Sequence, residues 1–399
     1  MGKYLDEMLF YKAPLSKKTR IRAADGFVFL LLTAFALYAR FSMFPFLSGD
    51  YTQFLSHWYD ALKEAGGIPG IGLSIGDYAP SYIYLLSLLT YLPFSSLVSI
   101  KLLSCAFDFL LAIFVMLTVV NQRGSKTFGM AAYGITLFLP TVLFNSAYWA
   151  QCDAMFVSFL IICIYFLLKD RPFAAMLCFS VSFCLKLQAI FLLPLLVLLF
   201  LKRKIKLRYF LLIPGVYLVS ILPAFFAGRP LCELLTIYFD QAGSYSRLSL
   251  NAPNLYFFIG EDTTKALSMA AIMLCGSAVL LSLYLLYKSR IRFEGITLVA
   301  AGLFFALLLP YLLPHMHERY FFLADILAVI YAFIRPKRFY IPVMVGFASF
   351  AGYLPFLFGH QPIDLKFAAI LMGIALLIVA YDLFYAVFYG HPEKKVRQW

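Results

Sequence analysis

Ten predominantly apolar stretches dominate this chain: residues 27–46, 97–120, 127–145, 154–169, 208–226, 263–287, 294–313, 320–335, 338–358 and 365–389. A bilayer core takes about 20 apolar residues of straight helix, so runs of this length are candidate spans. Two shorter runs, 173–185 and 189–201, flank the polar triplet Lys186-Leu187-Gln188 and predict a hairpin whose tip is buried below the outer surface. The expected fold class is all-α and integral to the membrane, with about twelve transmembrane segments. Residues 26–389 form one multi-span domain between a basic segment, 1–25, and a tail, 390–399. The run from Gly26 is too long for a cleaved signal.

The charge follows from that placement. Hydrophobic residues make up 63% of the chain and charged residues 13%, against about 45–50% and 25% in soluble domains. A net charge of +13 would suggest nucleic acid in a soluble protein. Here cationic residues collect in cytoplasmic loops instead, and no nucleic-acid partner is expected. The run 79–93 decides the orientation. As a full span it would place Arg123 and Lys126 outside; with Ser81, Tyr82, Tyr84, Ser87 and Thr90 it reads better as an interfacial helix of the first outer loop. Most of the 33 Lys and Arg residues then fall on the side of both termini. The expectation is a multi-pass plasma-membrane protein with both termini cytoplasmic. Of the seven cysteines, only Cys152 and Cys232 fall near the outer surface, where a disulfide is conceivable.

Four outer clusters carry the unusual polar residues. Asp50 follows the first span and reads either as a solvated helix-end acid or as a site residue. Asp77 and Tyr78 precede Pro80, where an acid can serve the helix N-terminus or bind substrate. Tyr148 and Trp149 suit an aromatic belt, but Gln151 and Asp153 do not. Lys186 and Gln188 sit at the hairpin tip, and His315, His317, Glu318 and Arg319 follow a later span. A buried ammonium needs an anionic partner, either a carboxylate such as Asp153 or Glu318, or a phosphate. Arg319 offers a planar fork for either anion. The HxHE run is a weak metal signal, and neither a metal nor a cofactor is expected. No phosphate-cradling glycine loop faces the cytoplasm. A carboxylate base opposite a cationic phosphate site is what displacement of a lipid phosphate requires.

Taken in order, Asp50, the GDYAPSY of 76–82, the YWAQCDA of 148–154, the LKLQA of 185–189, the NAPN of 251–254 and the HMHERYFF of 315–322 resemble bacterial members of the GT-C glycosyltransferase superfamily. They are most similar to the group related to the second mannosyltransferase of GPI-anchor synthesis. The resemblance covers about residues 27–335. It implies an inverting transferase that moves a hexose from a polyprenyl-phosphate-linked donor to a glycan or lipid-linked glycan acceptor on the extracytoplasmic face. It implies Asp50 as the catalytic base and Lys186 and Arg319 as ligands of the donor phosphate. Asp77, Tyr78, Trp149, Gln151, Asp153, Gln188, Asn251, Asn254, His317 and Glu318 are implied at the substrate pocket. Metal independence is also implied. Where a second proline often follows the first in that family, this chain has Ala79-Pro80.

Two other classes compete. A flippase or transporter would show repeated halves with broken helices near midplane, and no internal repeat is evident. A membrane acyltransferase would use His317 as base but leave Asp50, Lys186 and Asp153 without a role.

Overall fold

The computed structural model describes residues 12–16, 19–243, 247–259 and 265–389. The tail 390–399 and the first eleven residues of the basic N-terminal segment lie outside these. Within that segment Lys12–Ser16 (β1) and Thr19–Arg22 (β2) pair antiparallel, an element that the hydropathy pattern does not announce.

The remainder is almost wholly helical. Seven helices are long and apolar enough to cross a membrane: Ala23–Met43 (α1), Ser96–Arg123, Leu207–Phe226, Lys265–Lys288, Gly295–Leu312, Pro336–Phe358 and Leu365–Tyr389. The predicted span 127–145 is a bent pair, Lys126–Phe138 and Pro140–Tyr148, with 52° between its halves. Proline at the first position of the second half lacks the N–H that would continue the ladder. The other predicted segments are shorter helices: Asp153–Leu168, Pro172–Leu185, Leu187–Leu201 and Phe322–Ile334. Each of the twelve predicted segments thus has a helical counterpart, but length and hydropathy qualify only seven as spans, or eight with the bent pair. The protein is an all-α, multi-pass membrane protein.

Burial separates lipid-facing from enclosed helices. Only 11% of α1's apolar window is buried, whereas Gly295–Leu312 reaches 72%. That central helix packs against Phe322–Ile334 and Leu365–Tyr389. Ser96–Arg123 starts at the Ser95 cap, whose side chain accepts from the Val98 N–H, and ends at Gly124, which has a left-handed φ of 65°. Pro80–Leu89, within the run assigned to the interface, tucks Tyr82, Ile83 and Leu86 into the protein.

Two buried cations fix the end of α1. Arg40, 1% exposed, donates Nε to Asp108 Oδ2 at 2.9 Å and Nη2 to the Leu137 carbonyl at 3.0 Å. Ser146 donates to the same Asp108 oxygen. Lys101 Nζ donates to the carbonyls of Met43 (3.2 Å), Phe44 (3.0 Å) and Phe46 (2.7 Å). These lie where a helix end leaves carbonyls unsatisfied and partially negative. The chain entering the loop after α1 is therefore held from the next long helix.

Candidate functional site

Ser48 is the first residue past this clamp to reach across to another loop. Its hydroxyl donates to the Trp149 carbonyl at 2.6 Å and accepts from the Tyr51 N–H at 3.2 Å. The bond ties the loop after α1 to the loop that closes the bent pair. Asp50 is thereby brought to Trp149, whose indole Nε1 donates to Asp50 Oδ2 at 2.9 Å, and Gln151 Nε2 donates to the same oxygen. The Asp50 side chain is 19% exposed.

Trp149 is fully buried, edge-on to Tyr353 and stacked on Phe356 with ring centres 4.7 Å apart. A rigid wall of rings therefore sets the position of the indole N–H. Gln151 uses both ends of its amide, because Oε1 accepts from the Tyr78 hydroxyl at 3.2 Å. This network fixes which end is nitrogen. Burial raises the Tyr78 phenol well above its ordinary pKa, so it stays a donor. Trp58 supports Tyr78 edge-on at 5.5 Å.

Asp153 opens helix Asp153–Leu168 and is 1% exposed. Its Oδ1 accepts from Lys186 Nζ at 2.5 Å, and its Oδ2 accepts from Asn145 Nδ2 at 2.8 Å. Lys186 occupies the predicted hairpin break, an extended residue between helix Pro172–Leu185 and the turn Leu187–Leu192. Its ammonium also lies 5.6 Å from the Tyr78 ring centre. Of the two carboxylates predicted as partners beside a phosphate, Asp153 pairs with Lys186 and Glu318 lies against Arg319.

Arg319 stands among three carboxylates: Glu318 at 3.1 Å, Asp153 at 3.5 Å and Asp50 at 4.0 Å. Its guanidinium also covers Trp149, 5.3 Å from the ring centre. Burial opposes that charge, but the Asp153, Glu318 and Asp50 carboxylates outweigh it and lift the Arg319 pKa well above its usual value. The segment carrying Arg319 is braced from the loop that precedes Lys265–Lys288, where Ser249–Leu250 (β3) pairs in parallel with Met316–His317 (β4). Backbone strain gathers at these joints, since Ala150, Asn251 and His315 all have positive φ, at 67°, 60° and 61°.

A cavity of about 240 Å³ opens beside the cluster. Asp77, Lys186, Gln188, Gln241 and Arg319 line its polar part; Leu185, Ile190, Phe191, Ile272 and Leu313 line its apolar part. Ile272 is half-exposed on the long helix Lys265–Lys288, so the cavity reaches an element of lipid-spanning length. Asp50, Gln151 and Asp153 do not line it. They stand behind Arg319 and Tyr78, which do. Gln188, 8% exposed, presents an Oε1 without a protein donor.

Other predicted site residues have different tasks. Asn254 is fully buried and structural: its Oδ1 accepts from the Tyr256 N–H at 3.1 Å, and its Nδ2 donates to the Pro310 carbonyl at 3.4 Å. It caps the turn Leu255–Phe258 rather than meeting a ligand. Asn251 pairs by backbone with His317, and its carbonyl sits where a Cβ on Gly352 would fall, 2.6 Å away. His317 packs edge-on to Tyr320, with Nδ1 3.7 Å from Glu318 Oε2. No group of three His, Cys, Asp or Glu side chains placed to hold a metal occurs among the described residues. Cys152 and Cys232 are free thiols, one buried and one exposed.

Three residues enter the site without having been singled out for it: Asn145 through Asp153, Tyr353 through Trp149, and Gln241, whose amide donates to the Asp77 carbonyl. Asn145 adjoins the YWAQCDA segment and so carried a weak signal. Tyr353, inside an apolar run, carried none. Comparison of the chain with protein-family models and with curated proteins gives no match.

Proposed function

We propose that the protein is an inverting hexosyltransferase that takes its sugar from a polyprenyl-phosphate-linked donor on the extracytoplasmic face. The observation that carries this reading is the cavity, where Lys186 and Arg319 meet walls of Leu185, Ile190, Phe191 and Ile272. A phosphodiester attached to an isoprenoid stem has those two needs, cationic donors for its oxygens and apolar surface for its chain. A guanidinium already set among carboxylates is a preorganised charge, which stabilises a leaving phosphate without reorganising.

In this mechanism Asp50 accepts the proton of an acceptor hydroxyl on a glycan or lipid-linked glycan. The hydroxyl oxygen attacks the anomeric carbon from the face opposite the phosphate, and the bond from that carbon to the phosphate oxygen breaks. The electron pair leaves with the polyprenyl phosphate, held by Lys186 and Arg319, and the proton passes from Asp50 to water. Trp149 and Gln151 aim the carboxylate, and Arg319, 4.0 Å from Asp50, links base and phosphate site. The reading places twelve segments in the plasma membrane with both termini cytoplasmic. Against the acyltransferase alternative, His317 is packed on Tyr320 beside Glu318 and is not a lining residue of the cavity.

The test is transfer by the detergent-purified protein from short-chain polyprenyl-phosphate hexoses to a lipid-linked glycan fraction. Donor consumption with inversion at the anomeric carbon is expected. If no donor is consumed, or if Asp50→Asn transfers as fast as the parent protein, the assignment fails.

A further inference from the structure

A second hollow, of about 400 Å³, lies between Lys126–Phe138, Phe322–Ile334 and the span Pro336–Phe358. Its floor includes Val329 and Ala332, both buried, and its rim is Phe128, Ile135, Phe339 and Val343, all exposed. No residue of its lining has a polar side chain. Phe128 meets Phe333 of the lining edge-on at 6.4 Å, so two of the elements touch across one side of the groove. The hollow sits at the far end of elements that also reach the candidate site. Lys126–Phe138 continues through the bent pair to Trp149, and Phe322–Ile334 begins just after Arg319. The 13 residues of that helix put about 20 Å between the two places.

An exposed apolar groove on spanning helices takes hydrocarbon. What sets this one apart from the rest of the lipid-facing surface is the charge at one end. Arg123, the last residue of Ser96–Arg123, lays its guanidinium over Phe128, 4.9 Å from the ring centre. A cation held on a ring of the rim is held at the mouth of the groove. The Nε of Arg123 has no hydrogen-bond partner, and Arg123 enters no ion pair among the described residues. Pro336 and Phe339 also belong to the lining, and Arg335, Lys337 and Arg338 alternate with them along the chain. Asp382 takes two of these cations, Arg335 at 3.2 Å and Arg338 at 2.5 Å. One carboxylate against two guanidiniums leaves a positive surplus, and the exposed Lys337 adds to it.

We propose that this groove binds an anionic phospholipid of the bilayer, with an acyl chain on Phe128, Ile135, Val329 and Val343 and the phosphate at Arg123 and Lys337. The hollow is of the size that ligand sites have, and basic pockets between spanning helices suit anionic headgroups. The lipid would join the bent pair to Phe322–Ile334 at the end opposite the site. The proposal does not depend on the transferase reading.

The experiment uses the full chain in mixed micelles that contain phosphatidylglycerol or phosphatidylcholine with the same acyl chains. Phosphatidylglycerol should raise the melting temperature saturably, by about 2–5 °C, because it binds only the folded state. In native mass spectrometry it should bind about 10-fold or more tightly than phosphatidylcholine, the scale of two cations near a phosphate. Arg123→Gln with Lys337→Gln should erase that preference, and Val343→Trp, on the exposed rim, should weaken the binding of both lipids. If the double variant does not fold, Val343→Trp decides. Equal binding of the two lipids, a preference that survives the double variant, or phosphatidylglycerol binding untouched by Val343→Trp overturns the proposal. Stabilisation by inorganic phosphate equal to that by phosphatidylglycerol also overturns it, since it would show an anion site that makes no use of the groove.

Discussion

Two arginines, one buried and one partly exposed, each beside an aspartate, serve this bundle in different ways. Arg40 has one carboxylate, Asp108, supplemented by backbone carbonyls, with exposures of 1% and 0% for the two side chains, and neither lines the cavity beside Arg319. Arg319 has three carboxylates and a ring beneath it, and forms part of a cavity wall. The first pair is stoichiometric and closed. The second gathers more negative charge than it needs for stability and leaves its cation within reach of a ligand. What marks a working ion pair here is the surplus of partners and the open side, not the burial.

The widest gap between the two regions should appear at Asp50. Asp50→Asn keeps the shape and both neighbouring side chains but removes the base, and transfer should fall by about 10²–10⁴-fold with the melting temperature unchanged. A variant that melts early would move Asp50 into Arg40's class. Next comes Arg40→Ala, which leaves Asp108 buried and unpaired and should cost about 3–5 kcal/mol, seen as loss of monodisperse protein in size-exclusion chromatography. Joint replacement, Arg40→Met with Asp108→Leu, should recover most of that loss. Failure to recover would mean that the pair does more than balance charge.

Lys186→Ala tests the open region more gently. It should reduce donor use by about 10-fold or more, the scale of one charge-assisted hydrogen bond, and raise donor KM more than it lowers expression. Equal loss of folded protein and activity would make Lys186 structural. The smallest effect belongs to the exposed pair Lys204–Glu294, 2.6 Å apart. The hydrogen bond and charge of Lys204 hold the Glu294 carboxyl below its usual pKa. Its stabilisation is thus present above the ordinary glutamate range and lost as pH falls through the lowered value. Because Glu294 is 56% exposed, Glu294→Gln should cost under about 1 kcal/mol, and thermal melts at neutral and acid pH should show the difference vanish in acid.

The sequence exposed what stands out against an apolar background. Apolar runs located the helices, and the polar residues at their ends included Asp50, Gln151, Asp153, Lys186 and Arg319, which the fold brings together. Partner choice was less legible. Nothing in the spacing tells that Lys101 collects carbonyls fifty-odd residues upstream, or that Tyr353 backs Trp149, because both lie within runs that read only as membrane. Asn254 is a related case: an asparagine in a loop looks the same in sequence whether it meets a ligand or, as here, caps a turn. Helix length was overread where Phe322–Ile334 reaches only 13 residues, since an enclosed short helix is as apolar as a spanning one.

The Lys101 clamp has a consequence for any pH or salt titration of this protein. Its three partners are peptide carbonyls, which do not take up protons in the range where carboxylates do, and burial shields it from mobile ions. The Lys101 half of the anchor is therefore blind to acid and to ionic strength, whereas the other half, Arg40, ends on the Asp108 carboxylate, so an acid-dependent change at the Asp50 loop reports Asp108 or the site's own carboxylates rather than the Lys101 bonds.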